Sequence, residues 1–180
     1  LPDEMIVVAH KTFKLALTNV NKIHSPRAMA FIIKGIYYSQ EQINSFENSS
    51  IVKHLADRLV QMYKHETDNK WQWFESYLTY GNSILPEAML CAYLVDNNPV
   101  YKEIAQSSFD FLLSKIFTEN TIHVISNKGW LQNNKGISAK VGGEQPIDVA
   151  YTIMALGKFY DVFENPDYLK KMEIGFSWFL

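Results

Sequence analysis

Apolar residues recur at three- or four-residue intervals along much of the chain, the spacing that places side chains on one face of an α-helix. This pattern predicts helices over residues 3–17, 26–38, 49–65, 83–95, 99–117, 146–163 and 166–180. Three of the predicted starts have a Ser or Asn directly before a proline, at Pro26, Pro99 and Pro166. The polar residue can cap the first turn, and proline fits the position after it. The pattern therefore predicts an all-α protein.

A sequence repeat groups six of these helices into antiparallel pairs. Segment 98–101 (Asn-Pro-Val-Tyr) matches segment 165–168 (Asn-Pro-Asp-Tyr), and a Phe follows ten residues after each proline. Each match comes after a mostly apolar helix, and a weaker copy covers residues 28–51. We interpret the unit as an apolar inner helix, a short turn and a more amphipathic outer helix. The uneven spacing of the units disfavours a regular solenoid and is typical of helical toroids with loops inserted at one mouth.

Two stretches break the helical pattern. Residues 71–82 carry large aromatic side chains around Glu75 and end in a Gly-Asn turn signal. Residues 118–145 form a longer insertion, in which segment 121–126 alternates like a short β-strand and Trp130 follows a glycine. Because long insertions in compact domains are typically functional, we expect the function to lie in these two stretches.

The residue types in these stretches suit sugar chemistry. Flat aromatic rings stack on the apolar faces of sugars, and carboxylates and amides form directional hydrogen bonds with hydroxyl groups. Paired carboxyl groups can also hydrolyse a glycosidic bond. Each candidate has a structural interpretation as well. Aromatic side chains can fill the core, and carboxylates in a first helical turn can serve as caps; this applies to Trp71, Trp73, Phe74, Tyr77, Glu87 and Asp148.

Composition and charge exclude several other classes. Hydrophobic residues make up 47% of the chain and aromatic residues 14%, enough for a substantial core. The net charge of −2 without a basic stripe argues against nucleic acid or an anionic membrane as a partner. The single cysteine, Cys91, excludes an internal disulfide framework. The histidines lack ligand spacing and no nucleotide motif occurs, so we expect neither a metal nor a cofactor.

Several short motifs, in a fixed order, carry a family resemblance. They are segments 25–28 (Ser-Pro-Arg-Ala), 73–75 (Trp-Phe-Glu), 78–80 (Leu-Thr-Tyr) with Asn82, 85–88 (Leu-Pro-Glu-Ala), 127–130 (Asn-Lys-Gly-Trp) and 145–148 (Gln-Pro-Ile-Asp). The set resembles the bacterial glycosyltransferase-associated family of six-hairpin proteins. That resemblance implies a glycosidase-like α/α toroid, incomplete in this chain, which we expect to be one domain of a longer protein. It also implies a central cleft lined by Trp73, Glu75, Tyr80, Asn82, Trp130, Gln145 and Asp148.

Three functions follow as hypotheses. The first is a carbohydrate-active protein that is glycosidase-like if it is catalytic, with Glu75 and Asp148 as acid and base and the other cleft residues binding an oligosaccharide. The second is a non-catalytic sugar-binding or scaffold domain, with a glycosyltransferase as partner or fused domain. The third is a sugar epimerase-like protein that would use His123. No apolar segment reaches the roughly 18 residues that span a bilayer, so we expect a cytoplasmic protein unless an export signal precedes Leu1.

Overall fold

A computed structural model describes residues 3–39, 46–133 and 142–180 of the chain. Within these ranges a short 3₁₀ turn at Val20–Lys22 follows the first helix. The helices are α1 (Asp3–Leu17), α2 (Pro26–Ser39), α3 (Phe46–Glu66), α4 (Ile84–Asp96), α5 (Pro99–Ile116), α6 (Pro146–Phe163) and α7 (Pro166–Ser177). The all-α prediction is confirmed, and the helix ends differ from the predicted ones by only a few residues.

The predicted helix caps are present at all three Ser-Pro and Asn-Pro starts. Asn98 Oδ1 accepts a hydrogen bond from the backbone N–H two residues on at 3.1 Å, and Asn165 Oδ1 does the same at 3.0 Å. Ser25 Oγ accepts one from the N–H three residues on at 3.4 Å. Each bond satisfies a first-turn N–H that has no partner within the helix. The sequence signal therefore identified real helix starts.

The helices form two layers of antiparallel pairs. Helices α2, α4 and α6 lie side by side, and α3, α5 and α7 each pack against the helix that precedes them. Helix α4 occupies the centre, where every residue from Ile84 to Ala92 is buried. The chain reverses after α4 and α6 through Asn97 and Glu164, whose left-handed backbone (φ 55° and 51°) ends each helix in a tight turn.

The repeated tyrosine of the sequence motif joins each outer helix to the one before it. Tyr101, in the first turn of α5, donates its hydroxyl to Asp57 Oδ1 on α3 at 2.6 Å. Tyr168, at the same place in α7, donates to Asp110 Oδ1 on α5 at 3.2 Å. Burial raises the pKa of both hydroxyls, so they stay protonated and able to donate. The repeat thus encodes the stacking of one helix pair on the next.

The core fills the space between the two layers. Aromatic packing joins α5 to α6, where the ring centroids of Phe109 and Phe159 lie 4.1 Å apart. Cys91 of α4 is fully buried, and desolvation raises the pKa of its thiol to about 12. Because the thiolate is the reactive form, this thiol is unreactive in the folded protein.

The strand predicted over residues 121–126 is wrong. In the described ranges this segment makes a single bridge, between Ile122 and Phe117. The alternation fails because the adjacent residues Val124 and Ile125 are both buried, which a half-exposed strand does not allow. The two-stranded ladder lies elsewhere, with β1 (Tyr77–Leu78) antiparallel to β2 (Leu131–Gln132). This ladder ties the two insertions together, although residues 134–141 of the second lie outside the described ranges.

We expect the Tyr101→Phe substitution to lower the free energy of unfolding by about 1–2 kcal/mol, because it removes the hydrogen bond from the Tyr101 hydroxyl to the charged Asp57 carboxylate. Urea denaturation of the Tyr101→Phe and Asp57→Asn variants and of the double variant measures the coupling between the two side chains. Additive losses would contradict a specific Tyr101–Asp57 bond. Tyr168→Phe, with the longer bond, should cost less.

Candidate functional site

A buried arginine at the start of α2 organises the candidate site. Arg27 is 8% exposed, and its guanidinium donates from all three nitrogens. Nε bonds the carbonyl oxygen of Tyr80 at 2.6 Å, and Nη1 pairs with Glu75 Oε2 at 2.8 Å. Nη2 donates to Thr79 Oγ1 at 2.5 Å and to Asn82 Oδ1 at 3.3 Å. The fork geometry of arginine can hold several acceptors at once, and here it fixes the first insertion to α2.

The segment before α4 is shaped into a tight turn that suits this arginine. Asn82 Oδ1 accepts from Thr79 N at 3.0 Å, and its amide nitrogen donates back to Thr79 O at 3.0 Å. Gly81 adopts a φ of +56°, a conformation in which a side chain would be strained. Tyr80 lies at the tip of this turn, so the hydrogen bonds between Asn82 and the Thr79 backbone fix the position of the Tyr80 ring.

An open cleft of about 540 Å³ lies over this turn. Glu75, Tyr80 and Trp130, all predicted site residues, lie in its wall. The other lining residues come from both insertions and the start of α2: Ser25, Pro26, Arg27, Tyr77, Thr79 and Gln132. The structure therefore brings the two predicted insertions together at one cleft.

Glu75 is the carboxylate of this cleft. Its Oε2 pairs with Arg27, and its backbone carbonyl accepts a hydrogen bond from Trp71 Nε1 at 2.7 Å. The side chain is 10% exposed, so a ligand in the cleft can reach it while the ion pair with Arg27 holds it in place. An ion-paired carboxylate is a strong hydrogen-bond acceptor for hydroxyl groups.

Tyr80 and Trp130 form an aromatic pair in the wall of the cleft. The centroids of Tyr80 and Trp130 lie 5.9 Å apart with an interplanar angle of 67°. Tyr80 is 55% exposed, and the Arg27 guanidinium carbon lies 5.1 Å from its ring centroid. Trp130 has a φ of 47°, which is strained for a bulky residue, and β2 begins directly after it. Strained backbone of this kind is concentrated at functional sites.

Trp73 belongs to the core rather than to the predicted cleft. Its side chain is fully buried, and its ring centroid lies 5.4 Å from that of Phe74 and 6.4 Å from that of Phe111. A ring with no exposed face cannot stack on a ligand. Its indole nitrogen has no hydrogen-bond partner among the described residues.

Asp148 lies behind the cleft, in the first turn of α6. It is 5% exposed, and its Oδ1 accepts a short hydrogen bond from the backbone N–H of Gly81. Its Oδ2 has no partner in the described part of the chain. Asp148 also lines a void of about 10 Å³ together with Ser83 and Thr152. Burial raises the pKa of this carboxyl, while the Gly81 N–H and the Arg27 charge act in the opposite direction. Asp148 therefore supports the turn that Arg27 also holds.

The remaining predicted residues do not line the cleft. Asn82 is buried and acts through Arg27 and Thr79. Gln145 is exposed at the N-cap position of α6, without a side-chain cap bond. Its neighbour Glu144 accepts hydrogen bonds from His123 at 3.1 Å and from Trp178 Nε1 at 3.0 Å, which fixes the approach to α6.

Sequence reasoning missed the residue on which the site depends. Arg27 stood inside one of the resemblance motifs, but it was not singled out. The available signal was a charged residue at the start of a helix that is apolar over most of its surface. A guanidinium in such a place needs carboxylate and carbonyl partners, since an unpaired buried charge is strongly destabilising.

Comparison with known proteins assigns no function to this site. The chain matches no protein family, and it has no significant similarity to a curated protein or a solved structure. Among the helices of the described ranges, none has the length and apolar character to cross a bilayer. The same ranges contain no cluster of three or more His, Cys, Asp or Glu side chains placed to bind a metal.

We expect Asp148→Asn to stabilise the protein increasingly as the pH rises. A carboxyl whose folded-state pKa is raised binds its proton more tightly when folded, so its contribution to stability falls as pH rises from below about 3.9 through the folded-state pKa. Asparagine removes that loss. The difference in Tm between variant and parent should therefore increase between about pH 3 and pH 7. The exposed Asp161→Asn is the control; a pH-independent difference for Asp148→Asn would contradict the assignment.

The left-handed conformation of Trp130 predicts an unusual order of stability. We expect Trp130→Gly to be more stable than Trp130→Ala by about 1 kcal/mol, because only glycine adopts a positive φ without steric cost. Urea denaturation measures the difference. At Leu131, the next residue and the first of β2, the alanine variant should instead be more stable than the glycine variant. A more stable alanine variant at both positions would refute backbone strain at Trp130.

Proposed function

We propose that the cleft over Arg27 binds a carbohydrate. The observation that carries the proposal is the combination of a fixed carboxylate, Glu75, with the exposed ring of Tyr80 and the half-buried ring of Trp130 around one opening of about 540 Å³. Sugars need both kinds of contact, because their hydroxyl groups form hydrogen bonds and their C–H faces stack on aromatic rings.

The polar groups of the cleft suit an uncharged sugar. Glu75 Oε2 is paired with Arg27, and Glu75 also offers Oε1 to a ligand. Gln132 and Thr79, which line the same opening, add amide and hydroxyl groups. Among the described lining residues, Arg27 and Glu75 are the charged ones and offset each other. A neutral saccharide therefore fits these residues better than a uronic acid or a phosphorylated sugar, which would need an unpaired cation.

Binding is better supported than hydrolysis. Glycoside hydrolysis commonly uses two carboxyl groups on opposite sides of the scissile bond. Glu75 is the carboxylate that lines the cleft among the described residues, whereas Asp148 is buried and bonded to Gly81. Hydrolysis stays the second candidate because the raised pKa of Asp148 is a property that general acids need. That mechanism would require the 79–82 turn to open.

The wider setting is also part of the proposal. The family resemblance and the stacked helix pairs support an α/α toroid to which this chain contributes one portion. The same resemblance supports a glycosyltransferase as partner or fused domain, with this domain holding a saccharide beside it. An epimerase has less support, because the exposed His123 pairs with Glu144 rather than lining the described cleft.

We expect Trp130→Ala and Tyr80→Ala each to weaken saccharide binding by about fivefold to tenfold, through loss of one stacking surface. A panel of neutral oligosaccharides on an array, followed by isothermal titration calorimetry with the saccharides that bind, measures the effect. Phe176→Ala, which removes an exposed aromatic side chain from α7, is the control. Unchanged affinity in both cleft variants would remove this opening as the binding site.

The Glu75→Gln and Asp148→Asn variants distinguish binding from hydrolysis. Incubation of the parent with each bound oligosaccharide should release no reducing ends if the domain only binds. Release by the parent that both substitutions abolish, with oligosaccharide binding retained, would establish the hydrolytic alternative instead. Binding by neither parent nor variants would contradict the proposal as a whole.

A further inference from the structure

Helix α2 carries a row of large side chains that begins one turn beyond Arg27. Phe31, Lys34 and Tyr38 follow at the spacing that keeps side chains on one face of a helix. Arg27 lines the cleft, so this row leads away from the cleft along the helix axis. From Arg27 to Tyr38 the row is about 16 Å long, at about 1.5 Å of rise per residue.

Helix α6 carries a matching row that contacts the first one. The ring centroids of Tyr151 and Phe31 lie 6.1 Å apart in an edge contact, and Lys34 Nζ lies 6.0 Å from the Tyr151 centroid. Further along, Lys158 Nζ lies 5.4 Å from the ring centroid of Tyr38. The two rows therefore form one continuous surface above α4, which we call the α2–α6 strip: Phe31, Lys34, Tyr38, Tyr151 and Lys158.

The strip leaves aromatic area open to solvent. Phe31 is 47% exposed and Tyr38 is 55% exposed. Beside them on α6, Ile147 is 49% exposed and Met154 is 55% exposed. Side chains of this size are rarely left open in a row, and such patches commonly mark binding surfaces.

The charges within the strip are already matched. Lys34 Nζ lies 2.6 Å from Glu87 Oε2, and the Tyr38 hydroxyl donates to Glu87 Oε1 at 3.3 Å. Glu87 is fully buried, so it neutralises Lys34 from beneath the surface. Lys158 lies 3.9 Å from Asp161. Lys34 itself is 7% exposed, so the strip offers a ligand ring faces flanked by the Tyr38 hydroxyl and the Lys158 ammonium, without an unmatched charge.

We propose that the α2–α6 strip extends the carbohydrate cleft, and that the ligand is a neutral oligosaccharide chain rather than a single sugar. This inference rests on the proposed function of the cleft. Arg27 gives the strip continuity with the cleft, and a length of about 16 Å exceeds a single sugar ring. The oligosaccharide lies with one end against the Tyr80 and Trp130 pair and with its following units over Phe31 and Tyr151.

The exposed rings of the strip favour a saccharide, and its matched charges give a charged protein partner no free group to pair with. Helix-binding grooves present aliphatic and Met-rich pockets for the apolar side chains of their partner. Here the exposed side chains of the α2 row are the rings of Phe31 and Tyr38, with the aliphatic Ile147 and Met154 beside them on α6. Stacking on rings with hydrogen bonds at their edges is the combination that sugar chains use.

Chain length provides the test. Isothermal titration calorimetry on the full chain compares the mono-, di- and tetrasaccharides of the cello-, malto-, manno-, xylo- and chito- series. We expect a tetrasaccharide of the recognised series to bind about tenfold or more tighter than its monosaccharide. Phe31→Leu, which keeps apolar packing but removes the ring, should weaken the tetrasaccharide about threefold to tenfold and leave the monosaccharide unchanged. Phe176→Leu on α7 is the matched control.

The outcomes separate the extension from the cleft. Equal affinity for monosaccharide and tetrasaccharide, unaltered by Phe31→Leu, would overturn the extension while leaving the cleft intact. Binding of no saccharide of any length would overturn the cleft and the extension together. Sedimentation velocity tests whether a second copy of the chain binds to the strip instead. A parent dimer that becomes monomeric in the Phe31→Leu variant would assign the strip to that second copy.

Discussion

The Arg27 guanidinium is the interaction on which the rest of the site depends. A charge that is almost completely removed from water must be matched by nearby oxygens, and Arg27 takes them all from one short segment between Glu75 and Asn82. The position of Glu75 and the direction of Tyr80 follow from that requirement. Through Gly81, the same segment is bonded to Asp148 on α6. Three helices of one layer are therefore connected at their N-terminal ends by a single polar network.

The layered packing explains why this network forms where it does. The contacts show that helices α2, α4 and α6 run in the same direction. Arg27 contacts the segment before α4 while Lys34 reaches Glu87 within α4. Phe31 likewise contacts Tyr151 of α6, and Tyr38 lies beside Lys158 further along both helices. Their first turns therefore meet at one end of the layer, where unpaired N–H groups favour carboxylates. Glu87 and Asp148 both occupy such first turns. The two long connections between pairs also arrive at this end, which places both insertions above the first turns of these helices.

Local signals were sufficient for the helices and insufficient for the site. The periodicity of apolar residues and the Asn-Pro starts report on neighbours within one or two turns, so they placed α5 and α7 correctly. The strand at 121–126 was wrong because alternation in sequence does not supply a partner strand. Trp73 could not be separated from Trp130, since an aromatic residue suits a core as well as a cleft. Arg27 was missed because its meaning depends on partners about fifty residues away in the sequence.

The buried thiol of Cys91 can report how often the folded protein opens. Cys91 is the single thiol of the chain and lies in α4, one turn beyond Glu87 and at the centre of the helix layer. A thiol reagent can modify it only when the surrounding helices separate, so the rate of labelling measures how often that happens. Any compound that binds the folded form lowers this rate by mass action, whatever its chemistry. The identity of the ligand can therefore be searched for without a prior assumption about its class.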